Sequence, residues 1–143
     1  MFEERRRLML SKLKQPLIVF QYGDTNIRTG VLDNQSGYQS FVTFKNGYMN
    51  LGTGLLNSGG VTIAVDFSGY SELHIVASID RSSNAGDVGF NTSNKTNTDW
   101  KTNRTSVKTG EKDEYVFDIS KCRGTNYICF WALTLEIYDI WLQ

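Results

Sequence analysis

The groups able to do acid–base, nucleophilic or metal chemistry are sparse in this chain: one histidine, His74, two cysteines, Cys122 and Cys129, and acidic residues flanking loops. A hydrolytic triad needs a nucleophile, a base and an orienting acid, and no Gly-x-Ser-x-Gly elbow is present to present the nucleophile. His74 stands alone in an alternating segment, opposite an aliphatic run, where a solvent-facing or hydrogen-bonded histidine is expected rather than a base or metal ligand. The cysteines, seven residues apart with a turn between them, lack zinc-site spacing and are expected as two separate reduced thiols, although a bridge stays open if their Cα atoms come within about 7 Å. A glycosidase needs two carboxylates roughly 5–10 Å apart across a cleft. Asp80, Asp87, Asp99, Asp113 and Glu114 could supply such a pair, or with backbone carbonyls hold calcium, but acidic residues at strand ends more often act as solvated turn formers. No Asp-x-Asp-x-Asp loop exists. The expectation is therefore no catalytic residue, no metal and no cofactor.

A different chemistry fits other residues. Sugar recognition needs aromatic faces for C–H stacking and planar polar groups to hydrogen-bond hydroxyls. Trp100 is the leading candidate, since Asp99, Lys101, Asn103 and Arg104 surround it in the polar stretch 91–105. A tryptophan plugging the edge of a sandwich is the competing reading. The loop 80–87, with Asp80, Arg81 and Asn84, is the second candidate, because rigid sandwiches carry function on their loops. Trp131 and Trp141 lie in regular apolar segments and are expected in the core. Sequons at Asn91, Asn94 and Asn103 mark exposed polar loops.

The elements that position these residues follow from periodicity. Residues 1–14 carry five basic and two acidic side chains, +3, against −3 for the remainder. Helix formers, acidic residues at the start and lysines at the end predict a short α-helix stopped by Pro16, with Phe2, Met9, Leu10 and Leu13 as an apolar stripe. So short a helix must dock, on its own domain or on a neighbouring chain. Beyond Pro16 the period is two. Strands are predicted over 17–22, 26–32, 38–44, 48–51, 61–66, 71–80, 86–91, 99–107, 114–119, 126–132 and 135–142. Asn46-Gly47 marks a tight hairpin. In 71–80, predicted to be the longest and centrally placed, Leu73, Ile75, Ala77 and Ile79 share one face and His74, Val76, Ser78 and Asp80 the other. About ten short strands without helical crossovers make an all-β jelly-roll sandwich over residues 16–143, preceded by a docking segment over 1–15.

Composition fits this class. Thirteen glycines, one proline and 18 aromatics accompany a net charge of zero. That balance gives no electrostatic footprint for nucleic acid or anionic membrane, and no stretch reaches the roughly 18 apolar residues of a membrane span. The charged start is unlike a secretion signal.

The segments Val61–Val76, Tyr115–Ser120, Asn126–Trp131 and Ile137–Leu142, with the basic start and Tyr22-Gly23-Asp24, resemble small jelly-roll modules, galactose-binding-like in shape, in tail-associated structural proteins of phages and prophages of Gram-positive gut bacteria. The shared features are structural: an Asp-x-Ser-Gly-Tyr turn, an Asp-Ile-Ser strand end and a closing Ile-Trp-Leu strand. The resemblance implies a non-enzymatic, virion-associated or prophage-encoded module, with attachment or adhesion as its role and a carbohydrate as a candidate ligand. Other virion proteins, or sister copies in a homo-oligomer, would be partners. A purely structural component making only protein contacts is the alternative.

Overall fold

The computed structural model describes residues 15–34, 40–53, 59–79, 86–92, 103–132 and 134–143. The helix expected over 1–15 and the separation of that segment from the rest lie outside them. The described chain is all strand: β1 (Leu17–Phe20), β2 (Val31–Asn34), β3 (Ser40–Lys45), β4 (Tyr48–Thr53), β5 (Gly59–Asp66), β6 (Glu72–Ser78), β7 (Gly86–Asn91), β8 (Arg104–Ser106), β9 (Asp113–Asp118), β10 (Thr125–Ala132) and β11 (Thr134–Leu142).

Two antiparallel sheets form. One runs β3-β4-β11-β6-β9, with β1 pairing to the end of β11; the other runs β2-β5-β10-β7-β8. The facing sides supply one continuous core, from Val19, Phe20, Met49, Leu51, Leu73, Ile75, Ile137 and Ile140 on one sheet to Val61, Ile63, Val88, Ile128 and Phe130 on the other. Alternate positions along β4, β5, β10 and β11 are inward and apolar, the arrangement expected of two sheets packed face to face. The sandwich expected from the two-residue period is the observed fold.

The hairpin forms where Asn-Gly predicts it. Asn46 has φ 58° and Gly47 φ 89°, both left-handed, as a two-residue turn of the twist-compatible type requires. The strand expected over 26–32 is shorter, beginning only at Val31. Before it, the Gln21–Asp24 turn and the Asp24–Arg28 ion pair at 2.8 Å fold the chain back, and the Arg28 amide donates to the Val19 carbonyl. Likewise 99–107 yields only Arg104–Ser106 as strand. β6 lies between β11 and β9 as expected, but β11, with nine residues, is longer than β6, with seven.

One irregularity decides which side chains reach the surface. Between Ile137 and Asp139 the β11–β6 register slips, so Ile137 pairs with Ala77 and Asp139 with Val76, leaving Tyr138 as an inserted residue. Such a bulge reverses the alternation beyond it. Leu135 and Ile137 are buried before it, Ile140 and Leu142 after it, and Trp141 therefore turns outward. Its placement in the core is corrected by this bulge. Trp131 is corrected too: Ile128 and Phe130 take the inward positions of β10, and Trp131 lies half-buried on the outer side, 5.7 Å below the Arg104 guanidinium.

Candidate functional site

The two outer faces differ. On the five-stranded sheet, Thr62 and Cys129 sit at outward positions, cross-strand neighbours in register, yet are fully buried. The backbone at Asn103 crosses over Gly89, its carbonyl oxygen filling the space a Cβ would occupy. That face is covered at these positions, whereas Val31, outward on its edge strand β2, is 68% exposed. Burial raises the Cys129 thiol to about 12, so it is a packing group; Cys122, half-buried, is also raised by desolvation, and both thiols are free.

The outer face of the six-stranded sheet is open and aromatic. Alternation from Leu135 and Ile137 points Tyr138 outward at its centre, and the bulge adds Asp139 to the same face. Tyr48, at the start of β4, packs on it with ring centroids 5.5 Å apart, and Tyr22 stacks at 6.1 Å with planes 26° apart. Tyr22 is 55% exposed. Its loop is fixed at three points: its amide donates to Asp139 Oδ1 at 3.1 Å, the Gly23 amide donates to the Gly47 carbonyl at 2.8 Å, and its ring lies against Gly47. Two short turns thus converge to seat one tyrosine beside two others.

Polar groups frame this trio. Tyr138 Oη donates to Glu136 Oε2 at 2.9 Å, and Ser78 Oγ lies 3.4 Å from both atoms. Burial, more than the neighbouring carboxylate, holds the Tyr138 phenol above its ordinary pKa, so it stays a neutral donor. The Lys112 ammonium lies 4.4 Å from the Tyr138 ring centroid and 5.9 Å from that of Tyr22. Beside Glu136 the face dips into a shallow groove of about 270 Å³ lined by Thr43, Lys45, Asn50, Gly52 and Thr134. Three residues along β11 from Tyr138, about 10 Å by strand rise, Trp141 stacks on His74 at 4.6 Å and 11°.

His74 faces outward as expected but is covered by this indole. Its Nε2 lies 3.3 Å from Glu72 Oε1, and its Nδ1 is 3.7 Å from Glu114 without a hydrogen bond. The loop carboxylates within the described residues are separately engaged: Asp87 with Arg104 and Ser106, Asp113 with Lys108 at 2.7 Å. No cluster of metal-ligating side chains occurs among the described residues.

Of the residues singled out for sugar contact, Asp80, Arg81, Asn84, Asp99 and Trp100 lie outside the described residues. Asn103 is described, half-buried at the entry to β8, where its carbonyl accepts from the Phe90 amide at 3.1 Å. The tyrosine trio was not among the sequence candidates. Its one local signal is Ile137-Tyr138-Asp139-Ile140, where two inward aliphatics stand three apart instead of two.

No family model and no curated protein matches the chain. Solved structures do match in shape. CBM29_1, a family 29 carbohydrate-binding module from Piromyces equi, superposes with a TM-score of 0.62 at 16% identity, covering 90% of this chain and 89% of that one. A mutant of CBM29-2 complexed with mannohexaose gives 0.60 at 13% identity, with 90% of each chain covered. This chain has the jelly-roll fold of those modules.

Proposed function

We propose that this protein is a non-catalytic carbohydrate-binding module that grips a glycan on the outer face of its six-stranded sheet. The observation that carries the reading is the trio Tyr22, Tyr48 and Tyr138 on one open sheet face, continuous with a groove of hydroxyl, amide and carboxylate groups. Tyrosine rings stack on the C–H faces of pyranoses, and Glu136, Asn50 and Thr134 supply hydrogen-bond partners for ring hydroxyls. The shared fold with modules described as carbohydrate-binding adds support from a separate direction. The test is a glycan array followed by titration calorimetry with Tyr138→Ala and Tyr22→Ala. Each should weaken binding about five- to tenfold, as loss of one aromatic stacking contact of ~1–1.5 kcal/mol implies, while the far-UV spectrum is unchanged. Silence of the wild-type protein across the array would refute the reading.

The finer assignment is a tail-type adhesion module of a phage or prophage particle, virion-associated, with residues 1–15 docking on sister copies or other virion proteins. Its support is the sequence resemblance and the +3 charge confined to residues 1–14. The measurement is light scattering of the full chain: a concentration-dependent oligomer is expected, and a monomer throughout would remove the docking role. An oligomer silent to every glycan would favour a purely structural component.

A further inference from the structure

The tyrosine trio already holds a cation belonging to the chain itself. Lys112, exposed just before β9, lies with its ammonium 4.4 Å from the Tyr138 centroid and 5.9 Å from that of Tyr22, and it forms no ion pair with a carboxylate of the described residues. An ammonium over aromatic faces is attracted by the ring quadrupole, by about 0.5–2 kcal/mol according to its desolvation. Glu136, bonded to the Tyr138 hydroxyl at 2.9 Å, adds a negative charge beside the same ring. The site is thus built for a positive group, and its present occupant is a flexible side chain that can leave.

We infer that the glycan taken by this face carries a protonated amine, a hexosamine with its nitrogen unacetylated, seated among Tyr22, Tyr48 and Tyr138 in place of Lys112. This rests on the carbohydrate-binding reading and names its ligand class. The neighbouring groove favours an amino sugar over a simple amine. Thr43, Asn50 and Thr134 line it beside Glu136 and are suited to the hydroxyls of the adjoining sugar ring. Lys112 acts as an internal competitor, so its removal strengthens binding.

The test is calorimetric titration of the full chain with a glucosamine hexamer, the corresponding N-acetylglucosamine hexamer and mannohexaose. At about pH 6, where a sugar amine no more basic than an α-amino group of pKa about 8 is charged, the glucosamine hexamer should bind on the order of tenfold tighter than its acetylated counterpart. That advantage should shrink near pH 9. Lys112→Ala should tighten glucosamine binding severalfold while leaving the acetylated hexamer unchanged, and Tyr138→Ala should abolish the preference. Tyr22→Leu, at a 55% exposed position, provides the same readout without touching the core. Equal binding of charged and uncharged hexamers overturns the inference and leaves the carbohydrate reading standing. Binding of none of the three overturns this ligand class, and the wider array then decides the carbohydrate reading. A preference that survives both tyrosine substitutions is bulk charge attraction and also overturns it.

Discussion

Gly47 meets two demands at once. Its φ of 89° is strained for any residue with a Cβ, and a Cβ built there would lie 2.9 Å from the Tyr22 ring. Gly47→Ala should therefore cost about 1–2 kcal/mol for the left-handed backbone, read from urea denaturation, and should also push Tyr22 off Tyr138. The second effect separates this substitution from ordinary turn damage: affinity for the glycan proposed to bind this face should fall at temperatures where the variant is fully folded. Unchanged affinity would mean that Tyr22 reaches the ligand without help from the hairpin. Asn46-Gly47 was legible in the sequence as a turn, but its service as a seat for Tyr22 was not, because the two residues meet only when the 21–24 loop folds back onto β3 and β4.

At the scale of elements, the bulge in β11 does most to create the site. It lets a single strand bury Leu135, Ile137, Ile140 and Leu142 while turning Asp139, which accepts the Tyr22 amide, and Trp141 outward. If the alternation is as described, Ile140→Ala should cost about 2–5 kcal/mol as a core truncation. Trp141→Ala, which loses a stack on His74 without opening the core, should cost clearly less than the 3–5 kcal/mol of a buried aromatic deletion. Chemical denaturation of the two variants checks the parity, and the opposite ranking would restore Trp141 to the interior. β10 needs no such device, since simple alternation from Ile128 and Phe130 places Trp131 outside. Counting on from Ile128 and Phe130 in steps of two leaves Trp131 outside.

For the whole molecule, electrostatics is a matter of surface pairs rather than net field. The Arg28 side chain holds the Asp24 carboxyl below its ordinary pKa, Lys108 does so for Asp113, and the Ser120 hydroxyl and amide do so for Asp118. A carboxylate depressed in the folded state contributes stability above its unfolded value, near 3.9, and that contribution is lost as pH falls through the folded value. The melting temperature should therefore be level through neutral pH and decline below about pH 4. The deficit of Asp24→Asn relative to wild type should be greatest near neutrality and vanish in acid. Because the Arg28 guanidinium that pairs with Asp24 is exposed, salt should also reduce the deficit. A deficit constant with pH would show that Asp24 acts through its turn hydrogen bond to the Gln21 amide, not its charge.

Local chemistry in the sequence determined the sandwich: period-two alternation, the Asn-Gly hairpin, and the facing of Leu73, Ile75 and Ala77 against His74, Val76 and Ser78. These are short-range properties, set by side-chain direction along a pleated strand and by the few residues that tolerate a left-handed turn. The location of the aromatic face was decided only by tertiary structure. Tyr22, Tyr48 and Tyr138 lie far apart in the chain, and their rings meet because β1 and β4 both pair with β11 and because the bulge there turns Asp139 to the face where it holds the Tyr22 amide. Strand order and a one-residue slip are long-range pairing decisions. No local spacing encodes which outer face gathers the three tyrosines.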